Sequence, residues 1–227
     1  MKKILTLVLT LAMFVSAFSA FGISACAAFD LKPGDTFMFG SYEQNDDVSD
    51  GKEAIEWIVL DVQGNEALVV SKYALDAKKF NEVKEKTSWE ACTLRTWLNE
   101  AFFDEAFNEE EKAEIVESTL ANKRNEHYDK SVDGNETADK IFLLSVEEAE
   151  KYMETPEAKQ CQPTEYAEAN GAYHFSDTDC CDWWTRTEGG FTAGVAYVKN
   201  HGGMEYEGNW VTHTDNAVRP AMRISIG

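Results

Sequence analysis

Cys161, His174, Cys180 and Cys181 form the densest grouping of side chains able to ligate a metal or exchange a disulfide in this sequence. Protein zinc sites usually bring cysteines in pairs two to four residues apart. No such pair occurs here, so the grouping points to disulfides or buried thiols rather than zinc. Cys180 and Cys181 are adjacent and cannot easily bond each other, so each would need Cys92 or Cys161 as its partner. Cys92, Cys161, Cys180 and Cys181 are therefore the disulfide candidates. Two bridges, one bridge with free thiols, and four buried thiols all stay open.

Two acidic loops invite a calcium reading. Asp129, Ser131, Asp133 and Gly134 occupy the first, third, fifth and sixth positions of an EF-hand loop, but its twelfth position is Lys140. That position must supply a bidentate glutamate. Aligned from Asp46, the other loop puts Val48 third and Trp57 twelfth, and fails as well. A looser Ca²⁺ loop remains open beside the plainer reading of solvated acidic turns, and no cofactor is expected. None of His127, His174, His201 and His213 stands in a nucleophile-elbow context, and no phosphate- or dinucleotide-binding loop is present. No catalytic residue is assigned.

Chemistry of recognition is better represented. Trp183, Trp184, Arg186, Tyr197, His201, Tyr206 and Trp210 lie in one stretch punctuated by Gly189-Gly190 and Gly202-Gly203. If Trp183 and Trp184 share a strand, alternation sends one ring to the core and the other outward. An outward tryptophan would stack on a sugar or a partner. The competing reading is structural, with the outward tryptophan covering the Arg186 stem or a helix and Arg186 and Arg219 as buried cations paired with carboxylates.

These residues need elements to position them. Residues 36–40, 55–62 and 67–72 read as strands, the last two forming a hairpin across Gln63-Gly64-Asn65-Glu66. Thr87 and Glu90 are spaced as a capping box, and Ala91, Leu94, Leu98, Ala101 and Phe102 then recur at helical spacing. Asn108 is placed to cap a second helix, and Ser145 with Glu148 opens another. Residues 122–139 read as a polar loop, 141–144 as a buried strand, and 164–170 as a short helix stopped by Gly171. Strands return at 183–187, 194–199, 204–206 and 217–226. Strands at both ends with helices between predict a single α+β domain over residues 29–227, its N- and C-terminal strands sharing a mainly antiparallel sheet.

Residues 1–28 have a different character. Lys2 and Lys3 precede an apolar run from Ile4 to Phe21 and then small residues, the pattern of a secretory signal peptide. Ala25-Cys26-Ala27 fits ordinary cleavage, whereas Ile23-Ser24-Ala25-Cys26 resembles a lipobox with Cys26 as the lipidation candidate. Both keep the chain extracellular or at the cell surface, with membrane contact only through the signal or a lipid anchor. The whole chain has 227 residues and a net charge of -20, which would repel phosphate and excludes a nucleic-acid groove.

The sequence resembles a family of exported bacterial domains of unknown function. The resemblance runs through Phe39-Gly40-Ser41-Tyr42, Ile55 to Asp61, Cys92 to Asn99, Asp139 to Ser145, Trp183-Trp184-Thr185-Arg186 and Val218-Arg219-Pro220-Ala221. More distantly it is similar to C-type-lectin-like domains, including formylglycine-generating-enzyme relatives. That likeness implies a Trp-rich strand, a glycine hairpin and a last strand that pairs with the first. The sugar–calcium motifs of lectins are absent, Gln162-Pro163-Thr164 lacking the acid, and the paired active cysteines of the oxidase relatives are not assigned. The expectation is an exported, non-enzymatic recognition domain that binds a glycan, peptide or cell-surface component through its C-terminal loops. The alternatives are an enzyme of cysteine or metal chemistry and a surface scaffold without a small ligand.

Overall fold

A computed structural model describes residues 30–129 and 131–227. The expected signal sequence and Cys26 lie outside the described residues. Thirteen strands and short helices build two antiparallel-dominated sheets and a two-stranded ribbon, an α+β arrangement with a curled main sheet.

The N-terminal strands follow from β-branched and aromatic runs. β1 (Thr36–Tyr42), β2 (Glu53–Gln63) and β3 (Glu66–Ser71) form an antiparallel meander. In β2 the period of two is visible, since Ile55, Trp57 and Val59 are buried between more exposed neighbours. Trp57 donates its indole N–H to the Phe39 carbonyl at 2.7 Å, which satisfies the polar atom that a buried tryptophan carries inward. β3 continues into β4 (Asp76–Ala77).

Helical spacing produces a run over 93–106, but with its own start and a bulge. The predicted Thr87–Glu90 box does not form. Trp89–Ala91 is a 3₁₀ turn without a side-chain cap, and α1 (Thr93–Trp97) begins after Cys92, whose Sγ accepts from the Arg95 amide at 3.4 Å. A π-type turn (Leu98–Phe102) joins it to α2 (Phe103–Ala106). Leu94, Leu98 and Phe102 fall on the buried face at a spacing of four.

Asn108 caps the second helix as expected and opens α3 (Glu109–Glu114), in a capping box with Glu111. Its side-chain oxygen accepts from the Glu110 and Glu111 amides at 3.0 Å, and Glu111 returns a bond to the Asn108 amide at 2.9 Å. The other Glu111 oxygen accepts from the Gly40 amide at 3.0 Å, so the cap also moors α3 to β1. Asn108→Ala is expected to cost about 1 kcal/mol, seen as a melting temperature lower by roughly 2–4 °C.

Four two- or three-residue strands follow: β5 (Ile115–Val116), β6 (Ser118–Leu120), β7 (Thr137–Asp139) and β8 (Ile141–Phe142). The strand expected over 141–144 is thus half as long as its apolar run. Ser145 caps α4 (Val146–Tyr152) in a second capping box with Glu148. Then come α5 (Pro156–Lys159) and α6 (Glu165–Ala169), which ends at Gly171 with φ +119°.

The last third supplies β9 (Trp183–Glu188), β10 (Gly194–Val198), β11 (Met204–Trp210), β12 (Ala217–Val218) and β13 (Ala221–Ser225). β13 lies between β3 and the short strands β5 and β8, in a main sheet ordered β1-β2-β3-β13-β5. The C-terminal strand therefore joins the N-terminal sheet, but its partner is β3 and not the first strand. The second sheet is ordered β11-β10-β9-β12-β4. Arg219 and Pro220 carry the chain from β12 in one sheet to β13 in the other. A proline has no N–H for a ladder, so the strand predicted over 217–226 is broken there.

Candidate functional site

β9 is the central strand of the second sheet, and Trp183 through Thr187 are all buried. This overturns the expectation that one tryptophan ring points outward. Period-two alternation sends a side chain to solvent only where one face of a sheet is open. Here both faces are covered, and Trp183 and Trp184 are each 0% exposed. Their indole N–H groups donate to the Lys159 and Lys78 carbonyls at 2.9 and 3.0 Å. Tyr197, cross-strand from Trp184, is half-buried with its ring edge-on to it, and burial pushes its phenol up to about 12.

Arg186 lies in the core as well. Its guanidinium makes a two-pronged pair with Glu148 and donates to the Leu143 carbonyl at 2.8 Å and the Asn122 side chain at 3.2 Å. Burial pushes the Glu148 carboxyl up, but the Arg186 charge and the Ser145 hydrogen bonds outweigh it and hold the carboxyl below its usual range. The structural reading of Arg186 is the one observed.

Directly beyond this pair lies a cleft of about 150 Å³, lined by residues 123–127, by Ser145, Val146, Glu147 and Glu150 around the start of α4, and by Thr187. Each wall has a reason to be where it is. Asn125 is 2% exposed, and its side-chain amide donates to the Glu188 and Tyr206 carbonyls at 3.0 and 2.9 Å, fastening the polar loop to β9 and β11. Thr187 accepts from the Val146 amide at 3.0 Å and so sets the first turn of α4 against β9. Tyr128 lies on Gly190, where an added Cβ would come within 2.4 Å of its ring, so only glycine permits the contact.

Tyr206 ties two walls together. Its ring stacks on His127 with centroids 3.6 Å apart and planes 22° from parallel, and its hydroxyl donates to Glu150 at 2.5 Å. Burial and then Glu150 push the phenol up to about 12, so it stays a proton donor at neutral pH. Lys123 pairs with Glu147 across the rim at 2.8 Å. The cleft thus offers an imidazole at His127 backed by the Tyr206 ring, acids at Glu126, Glu147 and Glu150, and cations at Lys123 and Arg124.

The remaining predicted site residues do not converge on it. Trp210 is 37% exposed, packs edge-on to Phe191 at 4.5 Å, and carries the Lys84 ammonium 3.5 Å over its ring. His201 sits in the Lys199–Gly203 turn, its Nδ1 accepting from the Gly203 amide at 3.3 Å. Asn125, His127, Glu150 and Thr187 were not singled out by sequence. Only the composition of residues 122–128, rich in amide, imidazole and phenol groups, carried a signal.

The residues weighed against zinc and calcium have other partners. His174 faces Glu168 at 3.0 Å and Asp179 at 2.8 Å through its two ring nitrogens, apart from the cysteines it was grouped with. In the acidic loop, Asp133 accepts from the Arg124 amide at 2.9 Å and Ser131 from the Asn125 amide at 2.9 Å, so both fold back on the cleft wall. Cys92, Cys161, Cys180 and Cys181 are buried thiols.

A family model described as Domain of unknown function (DUF6273) matches residues 64–226. No curated protein and no solved structure is matched by the chain.

Proposed function

The chain belongs to the family described as Domain of unknown function (DUF6273), whose description assigns no activity, and on that premise we propose that it is an exported, non-enzymatic recognition domain that binds a glycan through the cleft beside α4. The observation that carries this reading is the His127 ring lining the opening with Glu126, Glu147 and Glu150, its position fixed from behind by Tyr206, which stacks on it and is held to Glu150. Sugars present C–H faces that pack on rings and hydroxyls that donate to carboxylates. The opening suits one sugar unit of a longer chain better than a large cofactor.

Export is supported by the basic start and apolar run in residues 1–28, with Cys26 as the lipid-anchor alternative. We read the fold as a variant of the C-type-lectin-like plan. Its support is the last strand returning to the N-terminal sheet and a Trp-bearing strand followed by a glycine hairpin.

The test is a thermal-shift screen of the purified chain against glycans, with peptides as a comparison set. A ligand at a hundredfold excess over its Kd stabilises by about 2.7 kcal/mol, a rise of roughly 5–10 °C here. His127→Ala and Glu150→Gln are expected to abolish the shift, whereas Trp210→Ala keeps it. A shift that survives in both cleft variants places binding elsewhere. No shift with any sugar, or shifts with peptides alone, ends the glycan reading.

A further inference from the structure

Arg219 is a buried cation whose surroundings differ from those of Arg186. It is 1% exposed, donates from Nε to the Ser71 carbonyl at 3.0 Å and from Nη1 to the Lys159 carbonyl at 3.3 Å, and lies 5.1 Å over the Trp183 ring. Among the described residues it forms no ion pair with a carboxylate, whereas Arg186 has Glu148. A guanidinium cannot shed its charge by deprotonating, so a buried one favours any anion formed beside it. The ionisable groups that feel its charge here are thiols.

Cys161 and Cys181 are 2% and 0% exposed and stand 20 residues apart in sequence. The Cys161 carbonyl accepts from the Cys181 amide at 2.9 Å and from its Sγ at 3.4 Å. That backbone bond brings the two residues' main chains side by side, the close approach a disulfide requires. The Cys161 Sγ itself lies against the Lys72 and Gln162 carbonyls at 3.6 Å. Cys92 is committed elsewhere as the α1 cap. Cys180 pairs with Phe175 through its backbone, its carbonyl accepting from the Phe175 amide at 2.9 Å, so the pairing of Cys161 is decided between the neighbours Cys180 and Cys181.

We propose that Cys161 and Cys181 are a disulfide-forming pair, closed when the chain folds in an oxidising medium and linking the 161 segment to the start of β9. Burial pushes the Cys161 thiol up, but the Cys181 hydrogen bond and the Arg219 charge hold it below its ordinary value. Its hydrogen bond to Cys161 and its burial hold Cys181 well above. Two successive exchanges close the bond. The Cys161 thiolate attacks a sulfur of an oxidising disulfide, such as glutathione disulfide, forming a mixed disulfide and releasing one thiolate. Cys181 loses its proton and attacks the Cys161 sulfur, the mixed bond breaks, and a second thiolate leaves. The protein dithiol gives up two electrons and two protons, and the oxidant becomes two thiols. Export would supply such a medium, but the chemistry of the pair does not depend on any ligand of the cleft.

The experiment is to refold the full chain in a glutathione redox buffer, alkylate free thiols in denaturant, and map the digest by mass spectrometry without reduction. The expected result is a Cys161-containing peptide linked to the Cys180–Cys181 peptide, with Cys92 alkylated. Cys180→Ser keeps the link, and Cys181→Ser and Cys161→Ser lose it. In Cys180→Ser, reduction lowers the melting temperature by roughly 5–10 °C. Alkylated Cys161 in the oxidised wild type and Cys180→Ser chains overturns the proposal, as does a link that survives Cys181→Ser but vanishes in Cys180→Ser. The mapping of wild type and Cys180→Ser decides the matter even where a variant at Cys161 or Cys181 fails to fold.

Discussion

Glu148→Ala is expected to lower the melting temperature by roughly 6–12 °C, because it strands the Arg186 guanidinium. The Arg186 side chain is 3% exposed and the Glu148 side chain 26%. Removing one partner of a buried pair costs about 3–5 kcal/mol, and partial exposure of the carboxylate places this case near the lower end. In a domain of this size each kcal/mol moves the melting temperature by roughly 2–4 °C. The variant also strips the capping box, since Glu148 accepts from the Ser145 amide at 2.8 Å. Glu148→Gln separates the two effects, because an amide can still accept from Ser145 but cannot neutralise Arg186. It should recover only a small part of the loss. If Glu148→Ala melts within 2 °C of wild type, as a surface pair would, the ion pair does not hold α4 to β9.

The same pair predicts a pH dependence. The Glu148 carboxyl titrates lower in the folded chain than the ordinary value of 4.5. Its contribution is therefore fully present above that value and is lost as the pH falls through the lowered folded value. Acid melts of wild type should steepen below that point relative to Glu148→Gln, which has no proton to gain there. Parallel curves for the two chains would contradict the assignment.

Local patterns in the sequence carried much of the frame, and non-local contacts carried the site. The hairpin of β2 and β3 was legible from alternation and turn residues, and the caps at Asn108 and Ser145 from spacing alone, because each is a contact between near neighbours. Thr87 had equally good spacing and failed. Trp89 turns inward to reach Asp139, 50 residues away, and the chain makes a 3₁₀ turn there before the helix starts at Thr93. The sequence left Trp183 and Trp184 between two readings for a similar reason, since alternation gives the two faces of a strand but not what covers each. His127, Glu150 and Tyr206 meet from a loop, a helix and a strand, so no spacing rule links them. The conspicuous aromatic segment marked the core of the second sheet and only the edge of the cleft.

The segments by which the sequence resembles its family have a further common thread, and Asp139 tests it. Arg95 and Asn99 come from one segment and Asp139 from another, and they meet in one network. Asp139 is 1% exposed and accepts from the Trp89 indole at 3.0 Å, Arg95 Nε at 2.6 Å and the Thr137 hydroxyl at 2.7 Å. Asn99 adds bonds to both backbone groups next to it, accepting from the Lys140 amide and donating to the Ile141 carbonyl, each at 2.8 Å. The donors converge on both carboxylate oxygens, so Asp139→Asn must turn an amide NH₂ toward either Arg95 Nε or the Trp89 indole N–H, each of which can only donate. A buried group left facing a like partner costs about 1–3 kcal/mol, and Arg95 loses its counter-charge as well. Asp139→Asn is therefore expected to lose about 3 kcal/mol, with the melting temperature lower by roughly 6–12 °C. Arg95→Met should cost less, because its side chain is 25% exposed and its removal leaves Asp139 with the indole and the hydroxyl. An Asp139→Asn chain as stable as wild type would show that the network is a consequence of the fold and not a support of it.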